Sequence, residues 1–457
     1  MLAQRFGRDA ETDGFLAAYA VYLLLVLAAQ AARTVVLPDL TRAAAAGTLA
    51  AELRGYLAAS LALALPASVL VAVFAGPLAD AITGALPAEA AQAAASALPW
   101  LVPAAFAQLL AAVAVSALAA RDSYGVAALA YSLGALAGLV LFVALSADGV
   151  IALAWGVALN GLISVLVPLW VLARRGDLAP GAFAGRIGFR LARLAQGAAV
   201  PLALQALYLI ALRLAADVGV GRVTSLSYAY LIASVLVATT ASSLGLVSSA
   251  PLTRRGLDAE RAAAHVVNTA WLSFALIAAG AGVFALAGET IAGLALGDAF
   301  SGEAGRELGR LIVALAPWML ASVGLTVTFP LLYVMGRRGV LVPLALGLPI
   351  LQLPLAWAGR ELFGLAGIAL ALAVTTLVAL GVLLASLSPY TLTLAAAGLG
   401  RLALVETALA ALSFGALSLV LGGIPAALAG LALYTLLLAA VRPRGLREAW
   451  AYVRALG

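Results

Sequence analysis

The sequence predicts an all-α, polytopic integral membrane protein with about thirteen transmembrane helices. Three observations carry this expectation. Of the 457 residues, 65% are hydrophobic and 10% charged, with a mean hydropathy of +1.13. A soluble domain carries about a quarter charged residues, and no soluble fold buries so much apolar surface, so lipid must be the solvent. Apolar runs of about seventeen residues or more, long enough to cross a bilayer, recur along the whole chain. The short polar connections between them then alternate sharply in charge.

The runs fall at 15–38, 55–83, 97–120, 124–146, 150–173, 195–217, 223–250, 267–288, 308–335, 339–357, 362–387, 400–422 and 426–441. All 26 basic residues are arginine. Alternating the connections places eighteen arginines on one side, among them Arg42, Arg54, Arg121, Arg254, Arg337, Arg401 and Arg442. Six fall on the other: Arg5, Arg8, Arg222, Arg306, Arg310 and Arg360. The rich side is cytoplasmic by the positive-inside rule, with the C-terminus inside and Met1 outside. Asp9, Glu11, Asp13, Glu89, Asp148, Glu289, Asp298 and Glu303 gather outside. The longest connection, 174–194, holds Arg174, Arg175, Arg186, Arg190 and Arg193, and predicts a cytoplasmic linker with a short interfacial amphipathic helix.

The same pattern excludes several functions. A pI near 9.8 would point a soluble protein towards nucleic acid, but here the arginines are topology signals, and no nucleic-acid partner is expected. With no Cys and one His, His265, disulfides, thiolate metal sites, a Cys nucleophile and a His-based triad have no material. His265 falls in an Arg-rich connection and reads as solvated. The longest outer connection, 289–307, has neither Asp-x-Asp nor His. No enzyme, no metal and no cofactor is expected.

Two halves of the chain repeat at an offset of roughly 212–218 residues. Pro38-Asp39-Leu40-Thr41-Arg42 answers to Pro251-Leu252-Thr253-Arg254, Leu98-Pro99-Trp100-Leu101 to Ala316-Pro317-Trp318-Met319, and Gly125-Val126 to Gly339-Val340. The offset spans six helices, an even number, so the halves share one orientation and form a parallel repeat. The predicted organisation is an N-terminal lobe at 1–173, the linker at 174–194, a C-terminal lobe at 195–388, and a helix pair with a basic tail at 389–457. The span 195–217 has no partner one offset earlier. Residues 1–10 lack the apolar region of a signal peptide. The expectation is therefore a chain without its first helix, fourteen in the full-length form.

Phe6-Gly7-Arg8-Asp9-Ala10-Glu11-Thr12-Asp13-Gly14-Phe15 resembles the Phe-Gly-x4-Thr-Asp-Ala-Phe loop after the first helix of the lipid II flippase (MurJ/MviN) family, within the MATE-like flippase superfamily. Leu37-Pro38 resembles the Val-Pro that ends the next helix there, and Gln205 through Tyr228-Ala229 resembles the seventh helix and the start of the eighth. The six-plus-six plan with a trailing pair matches too. The resemblance implies a flippase in the bacterial cytoplasmic membrane. It would carry a lipid-linked sugar precursor, lipid II or another polyprenyl-diphosphate glycan, to the outer leaflet by alternating access. Its partners are then that lipid-linked glycan and the membrane lipids, with a coupling ion left open.

One departure matters. Where the family carries a pair of arginines in its second helix, this chain reads Tyr22-Leu23-Leu24-Leu25-Val26-Leu27. Where the eighth helix usually has Tyr-Ala-Asp-Arg, it reads Tyr228-Ala229-Tyr230-Leu231. A diphosphate in a low-dielectric cavity needs cations. A divergent or inactive partner-binding homolog, and a MATE-type small-molecule exporter, therefore remain as alternatives. The exporter would call for interior acids, and Asp80 lies close to a span end.

Intramembrane polar groups are costly and mark candidate cavity residues. Arg33 is the one arginine left on its helix and is the diphosphate candidate, with snorkelling as the plain alternative. Gln30 shares its face at i−3. Gln205, Gln108 and Asn160 are neutral candidates, against a role in interhelical hydrogen bonding; Asn268 and Gln352 belong to the same class. Arg213 stands four residues before Asp217, an i,i+4 pair by the plain reading. Glu406, in the trailing pair, reads as a partner of Arg401, with ion coupling as the alternative. Pro66, Pro103, Pro168, Pro201 and Pro354 are candidate hinges.

Overall fold

A computed structural model describes residues 6–178, 185–238, 258–335 and 337–441, apart from the side chains of 30–32, 34, 35, 124, 330, 333, 334 and 338. The described residues are helical, without strands. In chain order the helices are α1 (Ala10–Ala45), α2 (Leu49–Val73), α3 (Ala75–Thr83), α4 (Ala88–Ala119), α5 (Tyr124–Ala144), α6 (Ile151–Arg174) and α7 (Ile187–Ala216). There follow α8 (Arg222–Val237), α9 (Ala259–Leu296), α10 (Glu303–Ala314), α11 (Ala316–Val334), α12 (Leu341–Leu387), α13 (Pro389–Ser418) and α14 (Gly423–Val441).

Among the described residues ten helices are long and apolar enough to cross a membrane, and α10 and α11, bent by 42°, pass the same test together. The 47-residue α12 is two spans: at Gly364 the backbone turns with φ 58° and ψ −136°, a conformation that only glycine adopts cheaply. Of the remaining expected span, 223–250, α8 covers the start, and 239–250 lie outside the described residues. Helix starts follow capping chemistry. The side chains of Asp9, Asp258 and Ser388 accept from the backbone N–H three residues on, and Pro389 occupies the first turn of α13. The five hinge-candidate prolines lie inside continuous helices. The breaks come instead at Phe74, Leu315 and Gly364.

The chain divides into two compact units, residues 9–223 and residues 1–8 with 224–457. In the first, α4 is the central helix, 83% buried over its most apolar window, with α1, α2 and α6 along it and α5 against α6. In the second, α9 is central, flanked by α10, α11, α13 and α14, while α12 lies on α11 and α13. The halves share a construction detail. Gly138 of α5 and Gly156 of α6 meet backbone to backbone, and so do Gly359 and Gly367 on the two legs of α12. At each of the four, a Cβ would run into the opposite carbonyl, the small-residue crossing that lets membrane helices approach closely.

Several expectations are corrected. Within 174–194 no separate interfacial helix exists among the described residues. Arg174 ends α6, and residues 187–194 are the first turns of α7, which runs unbroken to Ala216. The reason is that Arg190 and Arg193 form ion pairs with Glu52 and Asp39, which hold the start of α7 against α1 and α2. Helix α7 packs on α1, α2 and α3, so the unit boundary falls after Val223 where the sequence reading placed it near 195. His265 is not solvated. It lies on α9, 1% exposed, with Nδ1 3.4 Å from Thr269 Oγ1, because α9 starts at Ala259, two turns before the expected span. Glu406 has Tyr434 as a partner, while Arg401 is exposed.

Candidate functional site

The resemblance motif is built around the start of α1. Asp9 caps the helix by accepting from Thr12 N–H at 2.8 Å, and Glu11 and Asp13 put negative charge at its positive end. Thr12 and Asp13 are fully buried, and Asp13 Oδ2 accepts from Gly221 N–H in the turn after α7. Gly14 stands where the family pattern has alanine, and the structure gives the reason: the backbone of Ala90 on α4 occupies the place of a Cβ. Asp13→Ala is expected to cost about 2 kcal/mol, the loss of a charge-assisted bond together with an orphaned buried N–H. Asp13→Asn, which keeps an acceptor, should lose less. Thermal unfolding in detergent followed by tryptophan fluorescence measures both, and equal midpoints for the two variants would refute this role.

The polar candidates have different surroundings. Asn160 sits where α5 and α6 cross, its Oδ1 3.2 Å from Ser164 Oγ and in the space a side chain at Gly134 would need. Arg213 Nη1 pairs with Asp217 Oδ1 at 2.5 Å, and its Nε donates to Ala81 O at 2.9 Å. Its charge is thus committed at the end of α7. Gln108 is buried on α4. Gln205 is buried on α7, with an Nε2 that has no hydrogen-bond partner, an unmet donor inside the first unit. Arg33 is half-buried on α1. The side chain of Gln30 lies outside the described residues. In the second unit Gln352 is fully buried, with neither Oε1 nor Nε2 partnered.

Sequence reasoning missed the polar hub that joins α1, α2 and α7. Arg190 donates to both oxygens of Glu52, at 2.8 and 3.3 Å, and to Gly185 O at 2.5 Å, with its guanidinium over the Tyr56 ring. Arg193 binds Asp39 at 3.1 Å, and Tyr56 donates its hydroxyl to Asp39 Oδ2 at 2.5 Å. Gly55 is glycine because the Arg190 guanidinium fills the place of a Cβ. The signal was present: Asp39 and Glu52 are acids at span ends on the arginine-rich side, where each has cations within reach. A separate pair joins Arg121, after α4, to Asp177, after α6, at 2.6 Å.

Among the described residues, a cavity opens within each unit. One, of about 420 Å³, is acidic, lined by Asp9, Glu11, Glu89, Gln92 and Ser96 with apolar neighbours. The other, of about 460 Å³, is lined by Glu289, Arg306 and Arg310 beside Phe284 and Leu286. Neither contains a candidate from the sequence. Among the described residues no group of three acids and histidines is placed to hold a metal ion.

The helix order and the trailing pair can be set against solved structures. The chain is similar to a lipid II flippase, MurJ, in an inward closed conformation, with a TM-score of 0.77 at 14% identity over 97% of this chain and 95% of the other. This is the fold of the lipid II flippase and of the MATE transporters. An inward-facing MATE-family multidrug resistance transporter of the MOP superfamily matches with a TM-score of 0.69 at 17% identity, over 87% of this chain and 92% of that one. The Vibrio cholerae MATE transporter VcmN in its bent form matches with a TM-score of 0.53 at 16% identity, over 84% and 89%. No family model and no curated protein matches the sequence.

Proposed function

We propose that this protein is a membrane flippase that moves a polyprenyl-diphosphate-linked glycan between leaflets by alternating access, in a bacterial cytoplasmic membrane with its arginine-rich side inside. The observation that carries this reading is coverage. Similarity to the lipid II flippase extends over 97% of the chain, against 84–87% for the two MATE transporters, a difference comparable in size to the trailing pair. Arg33, the arginine left within the first span, is the cation assigned to the diphosphate. Gln205 and Gln108 would offer neutral donors to the sugar, and Gln30 shares the Arg33 face.

The loss of the arginine pair in α1 argues for a glycan-lipid other than lipid II, and it also favours a second reading as a MATE-type exporter. Purified protein in liposomes with a fluorescent short-chain polyprenyl-diphosphate sugar decides between them. Scrambling of the probe is expected, and Arg33→Ala should slow it roughly ten- to hundredfold, because a charge-assisted bond contributes about 1.5–3 kcal/mol. Absence of scrambling together with efflux of a cationic dye from cells would replace the flippase with the exporter. In cells, failure to rescue a strain depleted of its lipid II flippase, with rescue of a capsule or teichoic-type export mutant, would exclude lipid II and keep the class.

A further inference from the structure

Helix α10 lies backbone to backbone on α9. A Cβ at Gly305 would run into the backbone of Glu289, one at Gly309 into Phe284 O, and one at Gly288 into Gly309. Small residues at a crossing let helices approach this closely, and side chains 17 residues apart in sequence then meet: Arg306 Nη1 donates to Glu289 Oε2 at 3.1 Å. Arg306 also donates to Glu303 Oε2 at 2.9 and 3.0 Å, and Arg310 Nη1 donates to Glu303 Oε1 at 3.2 Å. Glu303, Arg306, Arg310 and Val313 follow one another at helical spacing, so they form one stripe of α10. The cavity of about 460 Å³ opens beside this stripe, with Phe284 and Leu286 of α9 as its apolar wall.

The charges of the cluster cancel, Glu289 and Glu303 against Arg306 and Arg310. Their bonding capacity is not used up. Among the described residues Glu289 accepts through one oxygen, Oε2, and Arg310 donates through one nitrogen, Nη1. A carboxylate has a second acceptor oxygen, and a guanidinium has further donors. Both side chains are open, Glu289 43% and Arg310 70% exposed. The cavity also has an order. Glu289 lies against Gly305, while Phe284 lies against Gly309, the neighbour of Arg310. The two contacts are one turn of α10 apart, ~6 Å at 1.5 Å per residue. Glu289 directly follows the apolar run 267–288, so it stands at headgroup depth. Towards the bilayer centre from it come the donors of Arg310 and the apolar wall.

We propose that this cavity binds an aminophospholipid of the bilayer, with its phosphate on Arg310 and Arg306, its primary ammonium on Glu289 Oε1, and an acyl chain over Phe284 and Leu286. Chain, phosphate and ammonium succeed one another in such a lipid in the order in which the protein presents its partners. A guanidinium suits a phosphate by its planar fork of donors. A purely anionic headgroup has nothing to offer Glu289 and is repelled by it. A choline headgroup has the positive charge but no N–H to donate. The site lies within one unit and does not depend on what the protein carries, so its test reads lipid binding and not transport.

Full-length protein in detergent would be titrated with dioleoyl phosphatidylethanolamine, phosphatidylcholine and phosphatidylglycerol, and the bound lipid counted by native mass spectrometry. The ethanolamine lipid should bind about tenfold tighter than either of the others, the scale of one hydrogen bond to a charged group. Glu289→Gln should bring it down to the choline lipid and leave the choline lipid unchanged. Arg310→Ala should weaken all three by about tenfold, because it removes a phosphate donor that they share. If Glu289→Gln fails to fold, methylated headgroups serve in its place: binding to the wild type should persist in the dimethyl form, which keeps one N–H, and drop with choline. Equal affinity for the ethanolamine and choline lipids, tightest binding of the glycerol lipid, an ethanolamine preference that survives Glu289→Gln, or wild-type binding by Arg310→Ala overturns the proposal.

Discussion

Arg190→Ala is expected to destabilise the protein by about 3 kcal/mol, the low end of the cost of removing one partner from a buried ion pair. Arg190 is 6% and Glu52 27% exposed at the side chain, so water compensates the abandoned carboxylate only in part. The substitution also removes the bond to Gly185 O and the face-on contact with Tyr56. Arg190→Lys should recover less than half of the loss, since an ammonium cannot address both Glu52 oxygens in the plane of a fork. The pair is shielded, so high salt should leave the difference between wild type and variant nearly unchanged. Thermal midpoints in detergent, read from the 7 tryptophans, measure this. A midpoint equal to wild type for Arg190→Ala would remove the hub from the account of how α7 is held.

That hub shows where sequence reading succeeds and where it stops. Span positions follow from a one-dimensional quantity, apolar length, and within the described residues the expected runs reappear as helices. The turn at Gly364 falls between the expected 339–357 and 362–387, because a short polar break bounded by glycine marks a hairpin in any one-dimensional scan. The partner of a helix is a three-dimensional quantity. Nothing in Ile187–Ala216 taken alone says that its first turns reach Asp39 and Glu52. The repeat offset assigned this helix to the second half, and the structure puts it with the first. His265 was misplaced for a related reason: hydropathy marks where lipid starts, whereas burial by neighbouring helices starts two turns earlier.

The candidate site was legible by residue type and not by commitment. Arg33, Gln108 and Gln205 stand in helices as expected. Arg213 and Asn160 are engaged, the first by an acid four residues away and the second by a helix crossing. Sequence spacing foresaw the Arg213 pair, since i and i+4 share a helix face. It could not foresee Asn160 against Gly134, because no local rule links residues on different helices. Between Asp13 and Arg33 the sequence of α1 carries no charged residue.

Gly367→Leu is expected to cost about 3 kcal/mol or more, the upper end of overpacking penalties, and to abolish recovery of monodisperse protein. Gly359 and Gly367 face each other across the turn at Gly364, and the carbonyl of each occupies the place of the other's Cβ. Both partners are backbone, so no rotamer change relieves the overlap; the legs must separate, and the apolar contacts beyond them separate as well. Gly156→Leu should fail in the same way in the first unit, where Gly138 supplies the opposing carbonyl. Gly347→Leu is the control: it lies on the same helix as Gly367, has nothing within 4 Å of a Cβ, and is flanked by the exposed Leu346 and Ile350. It exchanges a helix-weakening glycine for a good helix former on an open face, so it should be neutral or slightly stabilising. Size-exclusion profiles and thermal midpoints of the three variants separate the cases. If Gly367→Leu behaves like Gly347→Leu, the close crossing is not what sets the spacing of the two legs. If Gly156→Leu alone is tolerated, the crossing is a property of the second unit and not of the repeat.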